Sequence, residues 1–346
     1  MRVHITDLQA GDCLLHDVFN EHGMHVLSKG TVLSDKELTH LALHRVEYAD
    51  ILSRPGLQAH PNPPTILNSQ LTSHFQDAVS GFIDVFEKAL LEGRVYEDDM
   101  QGSFQPLVDS FKTAHDVVSM LLLLNSQDDY TYQHSVQVGM LSYYIAKWMG
   151  WDEKQTWLAG QAGFLHDIGK CRIPDEILNK PGKLSDEEYK EIQKHTLYGY
   201  EILKNSSMDE ALALAAYHHH ERMDGQGYPQ ALKADQIHPL AKIVSVADIY
   251  SAMISTRVYQ EKRDLLNVLR ELHRLSFHEL DPEVTQTFIS HMVPNFIGKQ
   301  AALSDGRIGT IVFINPSDVL SPLVQCGDSF IDLSRERKHE IVRIFM

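Results

Sequence analysis

Two short segments carry most of the chemistry open to this chain. Leu165 to Lys170 reads LHDIGK, and His219 to Pro229 reads HHERMDGQGYP. The His166–Asp167 pair lies among apolar residues, and His134, His195, His219, His220 and the carboxylate of Asp248 stand before and after it. Imidazole and carboxylate are the ligands that suit iron, manganese, nickel and zinc. A lone histidine on an apolar stripe is more often a satisfied core residue than a ligand. Several histidines with two inward-facing carboxylates reverse that expectation and point to a metal site.

The elements that must position these groups are helical. From about Gln127 to Met292 apolar residues recur at helical spacing, and His134 shares a face with Val138, Leu141 and Ile145. Ser185 with Glu188 predicts a capping box for a helix in which His195 lies on a stripe with Ile192, Gly199 and Ile202. Asp248 shares a stripe with Ala241, Val244 and Ala252, which sends its carboxylate into an apolar interior. A buried anion without a counter-charge is costly, and a metal is the usual remedy. Gly169, beside Lys170, predicts a helix that ends at a ligand surface. His218 completes a triple histidine run, but adjacent helical residues turn by about 100°, so three neighbours cannot share one target.

Outside this region the pattern changes. Residues 1–60 read as a small α/β module with a helix over Asp35–His44, and Pro55 to Pro64, PGLQAHPNPP, reads as a linker. Residues 65–126 form a helical connector, with helices over 65–94 and 104–125 that can pack on the next domain or on a second subunit. Residues 127–292 are the main helical domain, and 293–346 a small β extension whose Asp305–Gly306 marks a hairpin.

Composition narrows the function classes. Lys plus Arg number 31 against 47 Asp plus Glu, a formal charge of -16 that repels a nucleic-acid polymer. Cys13, Cys171 and Cys326 are far apart and give neither a disulfide framework nor a CxxC site. No stretch approaches the roughly 20 apolar residues of a membrane span, and the opening residues lack the apolar core of a signal peptide. These features predict a reducing, cytoplasmic location.

Residues 127–292 resemble an HD-GYP domain, the branch of the HD phosphohydrolase superfamily whose members hydrolyse cyclic di-GMP. His134, His166-Asp167, Lys170, His195, His219-His220, the DGQGYP loop at 224–229 and Asp248 in ADIYSAM follow the family's order. The resemblance implies a mainly α fold, an HD-type helical bundle with the α/β module before it and the β appendage after it. It also implies two divalent ions, Fe or Mn by ligand type, with Ni, Co and Zn binding similar sets. His134, His166, Asp167 and Asp248 would hold one, and His195, His219 and His220 the other, with Asp167 bridging; His218 is left as a structural neighbour. The activity implied is hydrolysis of cyclic di-GMP to pGpG and onward to GMP, with Asp167 and Lys170 catalytic. Lys170 and Arg257 would grip phosphate, and Tyr228 of the loop would line the pocket.

Three positions depart from the family pattern. Tyr130 stands where members with a third metal carry Glu, Ser251 where an Asp is common, and Gln260 where relatives often have a basic residue. Two ions are therefore expected. Hydrolysis of another nucleotide, or a noncatalytic role as cyclic-dinucleotide receptor, stays open as an alternative. So do a homodimer and protein partners bound through the GYP loop or the N-terminal module.

Overall fold

Apolar residues at three- and four-residue steps place helices along most of the chain, and the computed structural model has them in that order. It describes residues 2–5, 8–19, 25–44, 46, 48–52, 63–112, 118, 121, 130–254, 265–336 and 338–345. The chain divides into two compact units, Met1–Ser69 with Met292–Met346, and Gln70–His291.

In the first unit the N-terminal module consists of β1 (Arg2–His4), β2 (Val18–Phe19), β3 (His25–Leu27), α1 (Asp35–Leu43) and β4 (Tyr48–Asp50). β1 pairs with β4 and β2 with β3, both antiparallel, around a core that includes Leu14, Leu33, Leu41 and Ile51. The C-terminal extension is an antiparallel sheet of order β8-β7-β6-β5-β9, from β5 (Gln300–Leu303), β6 (Ile308–Asn315), β7 (Asp318–Cys326), β8 (Ser329–Asp332) and β9 (Ile341–Phe345). Alternation buries Ala301, Ile311, Val324, Ile331 and Ile344. The Asp305–Gly306 turn joins β5 to β6, its carboxylate accepting the Arg307 N–H at 3.1 Å.

The second unit is helical: most of α2 (Pro63–Glu92), then α3 (Glu97–Lys112), α4 (Tyr130–Trp148), α5 (Glu153–Leu165), a 3-10 turn at Ile168–Arg172, α6 (Asp175–Leu178) and α7 (Asp186–Gln193). Then follow α8 (His195–Lys204), α9 (Glu210–His218), α10 (Pro239–Ile254), α11 (Leu265–Leu275) and α12 (Pro282–Met292). Most of the expected linker lies outside the described residues, and α2 already begins at Pro63, where a missing N–H costs nothing. The second connector helix starts at Glu97 rather than residue 104. Glu97, Asp98 and Asp99 fill its first turn, where carboxylates meet the positive end of the helix.

Aromatic packing holds these two helices on α5. Phe82 meets Phe164 edge-on with centroids 4.9 Å apart, and Phe104 lies 4.8 Å from Phe164 and stacks on Trp157 at 5.7 Å. Each fully buried ring of this kind contributes about 1.5–3 kcal/mol. α4 is buried all round from His134 to Ala146, not only on the stripe that the spacing predicts. The Ser185–Glu188 capping box is present, but it opens α7, which ends at Gln193. His195 is the first residue of the next helix, not a member of the same one. Among the described residues no helix is long and apolar enough to cross a membrane.

Candidate metal centre

The site is built largely from helix ends. His166 caps the C-terminus of α5, with Asp167 following it and leading into the 3-10 turn; the pair therefore stands at the end of an apolar helix rather than inside one. His195 opens α8, His219 caps α9 and His220 follows. His134 and Asp248 alone project from within helices, α4 and α10. The last carbonyls of a helix lack intrahelical partners, and three imidazoles satisfy them. His166 Nδ1 donates to Gly163 O at 2.7 Å, His195 Nδ1 to Ile192 O at 2.7 Å, and His219 Nδ1 to Ala216 O at 2.8 Å. A carbonyl can only accept, so each Nδ1 carries the proton and each Nε2 offers a lone pair.

Those lone pairs converge. Asp167, His195, His219 and His220 form one group whose ligand atoms lie within 4.8 Å of one another, and His134, His166 and Asp248 form a second. Asp167 faces both: Oδ1 is 3.3 Å from His195 Nε2 and 3.8 Å from His219 Nε2, while Oδ2 is 3.2 Å from His166 Nε2. Two ligand atoms each about 2.1 Å from one ion, at about 90–110°, stand about 3.0–3.4 Å apart. His134 Nε2 and Asp248 Oδ1 are 3.0 Å apart, and His195 Nε2 and His219 Nε2 are 3.3 Å apart. His166 Nε2 and Asp167 Oδ1 are buried without a hydrogen bond. Orphaned acceptors at ligand spacing fit divalent ions.

The protonation states agree with that fit. Burial holds His195 down at about 4 and His220 at about 3, and drives His219 well below its ordinary value, so all three are neutral at pH 7. Burial would raise Asp167, but His166 and Lys170 beside it hold the carboxyl well below the usual range. Asp248 is likewise ionised: burial opposes its charge, and His134 beside it with the surrounding imidazoles overcomes it. His166 is the exception: burial disfavours its charge, yet the Asp167 carboxylate raises its pKa. Two carboxylates among largely neutral imidazoles leave a negative pocket suited to cations.

All seven ligands expected from the sequence meet here. Lys170, implied as a phosphate contact, pairs with Asp167 Oδ2 at 2.5 Å. Tyr228 tilts over the His220 ring with centroids 4.7 Å apart, and its N–H donates to His220 O at 3.2 Å. Arg257 and Gln260 lie outside the described residues, as does the side chain of Tyr130. His218 joins neither group. Gly169 does not end a helix but sits within the 3-10 turn, where an added Cβ would lie 2.0 Å from His195 O and 2.4 Å from Gly199 N. Its lack of a side chain lets the Asp167 segment touch α8.

Supporting residues that the sequence reading passed over surround the ligands. The buried Glu221 carboxylate accepts the N–H groups of Gln230 at 2.6 Å and Leu232 at 2.8 Å and so fastens the loop after His219 and His220. In that loop a Cβ on Gly227 would lie 2.4 Å from Glu221 Cα, which only glycine avoids. The Ser245 hydroxyl donates to His219 O. Gln137 stands behind Ser251, whose hydroxyl meets His134. Two of these left a sequence signal: Ser251 in its i+3 spacing from Asp248, and Gly227 as one of the two glycines of the DGQGYP loop, which permit close backbone approach.

Residues 117–284 match the HD domain family, and all seven of the clustered His and Asp residues lie within that span. Among curated relatives, the chain is 36% identical over 206 residues to the cyclic di-GMP phosphodiesterase PA4108 of Pseudomonas aeruginosa, covering 59% of this chain and 50% of the relative. It is 41% identical over 177 residues to a cyclic di-GMP phosphodiesterase of Thermotoga maritima, covering 50% and 48%. A 3'3'-cGAMP-specific phosphodiesterase 1 of Vibrio cholerae matches at 33% over 177 residues, covering 50% and 41%. The chain thus spans about half the length of the curated relatives it matches. The solved structure of Bd1817, a HDG"Y"P protein from Bdellovibrio bacteriovorus, shares the fold at 18% identity and a TM-score of 0.51, covering 83% of this chain and 97% of that one.

Proposed function

We infer that the chain is a two-metal phosphodiesterase that opens cyclic di-GMP to linear pGpG, with residues 127–292 as the catalytic region. The observation that carries this reading is the placement of Asp167, one carboxylate with an oxygen toward each histidine group. Two divalent ions, Fe or Mn by ligand type, acidify water and neutralise phosphate charge when bound. The chain's own residues do the rest. His134, His166 and Asp248 hold one position and His195, His219 and His220 the other, with Asp167 shared between them. Lys170, adjacent to Asp167, meets the scissile phosphate as a point charge, and Arg257 grips a phosphate through its guanidinium fork. Tyr228 walls the pocket beside His220. No side chain acts as nucleophile.

Gln260 supplies no cation to recapture pGpG, so pGpG accumulates and GMP forms slowly. A hybrid cyclic dinucleotide is the competing substrate, favoured by the likeness to the cGAMP-specific relative. Protein loaded with Fe or Mn and given each dinucleotide in turn, with products separated by chromatography, tests the reading. Early pGpG from cyclic di-GMP is expected. Faster turnover of the hybrid would reassign the substrate, and no hydrolysis of either would favour a receptor.

A further inference from the structure

Three ligand imidazoles lean on carbonyls of the helix ends that precede or contain them, but His134 is held differently. Its Nδ1 lies 3.0 Å from Ser251 Oγ, and Ser251 Oγ in turn donates to Gln137 Oε1 at 3.1 Å. Ser251 and Gln137 are both buried, at 0% and 5% exposed. The hydroxyl has one hydrogen, and the Gln137 carbonyl oxygen takes it. Toward His134 the oxygen then has only lone pairs to offer, so His134 Nδ1 must carry the proton. Nε2, 3.0 Å from Asp248 Oδ1, is then the nitrogen turned toward an ion shared with that carboxylate. Asp248 and Ser251, three residues apart, lie on one face of α10, so a single helix grips both nitrogens of the ring.

We propose that Gln137 and Ser251 form a positioning relay that fixes the His134 tautomer and thereby governs occupancy of the ion position formed by His134, His166 and Asp248, separately from the position formed by His195, His219 and His220. This rests on the two-ion reading above. A backbone carbonyl is anchored in its helix, whereas this relay runs through two side chains from two helices and can be altered without touching a ligand. Replacing partners that orient a metal-bound histidine lowers affinity by about 10–100-fold. That loss falls on one ion of the two.

The test is metal retention against a graded chelator, together with nitrogen NMR of the His134 ring in metal-free protein. Ser251→Ala should retain one tightly held ion where the parent retains two, with unchanged helical content. Ser251→Asp, which restores an acceptor to Nδ1, should recover the second. Gln137→Leu keeps the hydroxyl but removes its acceptor, and should shift His134 toward the Nε2–H tautomer. Equal retention of both ions in Ser251→Ala, loss of both ions together, or an unchanged tautomer in Gln137→Leu would each overturn the relay. Should the parent protein bind no ion, the two-ion reading fails on its own, and the tautomer measurement still decides the relay.

Discussion

Replacing Gly169 by alanine tests whether the two halves of the centre are held together by backbone contact. The new Cβ would stand 2.0 Å from His195 O and 2.4 Å from Gly199 N, and both obstacles are main chain. The 3-10 turn and α8 must therefore separate by about 1 Å or more. Overpacking costs about 1–3 kcal/mol where side chains can yield, so a backbone collision belongs at about 3 kcal/mol, about 150-fold in the folding equilibrium. With a urea m-value of about 3 kcal/mol per molar, the unfolding midpoint falls by about 1 M. The same shift lengthens the 3.3 Å separation of Asp167 Oδ1 and His195 Nε2, while metal sites tolerate only about 0.2 Å in ligand distance. Urea titration of metal-free protein and elemental analysis after dialysis give the two readouts. Gly102→Ala, where a Cβ meets nothing within 4 Å in the middle of α3, is the control and should be stabilising by about 0.5–1 kcal/mol. A Gly169→Ala protein that unfolds at the parent midpoint and keeps its full metal content would refute the argument.

Asp167→Ala should deplete both ions and abolish turnover, whereas His218→Ala should leave about two ions per chain by elemental analysis; equal depletion in both would contradict the ligand assignment. In chelated protein His195 and His220 titrate at about 4 and about 3 when folded but near 6.5 when unfolded, so the unfolded state takes up protons first. Stability is therefore intact above pH 6.5 and falls as pH drops toward 4, by about 1.4 kcal/mol per unit for each such imidazole. His166 acts in the opposite direction, and His195, His219 and His220 outnumber it; a urea midpoint as high at pH 5 as at pH 7 would be the contrary result. Burial pushes the Cys171 thiol up to about 11, so native protein should react with a thiol reagent at Cys13 and Cys326 and at Cys171 only in urea, as mass spectrometry of the labelled peptides can establish.

The clustering of the seven His and Asp side chains is legible in the sequence because residue type and spacing suffice for it: His134 and Asp248 ride apolar stripes, and His166-Asp167 and His219-His220 are adjacent pairs. Helix ends are less legible. Lys194 has φ -66 and ψ -15, and His166 φ -56 and ψ -35, both within the helical basin. The apolar rhythm therefore runs through these positions while the hydrogen-bond ladder stops, and the breaks before His195 and after Leu165 leave no mark in the pattern. Nor does the grip of Glu221 on the N–H groups nine and eleven residues later, since contacts between a side chain and distant backbone have no period. The relay behind His134 spans 117 residues of sequence, and only Ser251 hints at it.

The chain distances within the centre also order its assembly. His195 and His219 are 24 residues apart, whereas His134 and Asp248 are 114 apart. Closing a loop costs about 0.6 kcal/mol more for each doubling of its length, which favours the shorter closure by about 1.4 kcal/mol. During folding the cluster of His195, His219 and His220 is thus the first to close, and would be the first able to trap an ion. The His134 position waits until α4 and α10 meet. An ion present during refolding should speed the early closure and leave the late one to the packing of two distant helices, which makes the order of metal uptake a clock for the folding of the domain.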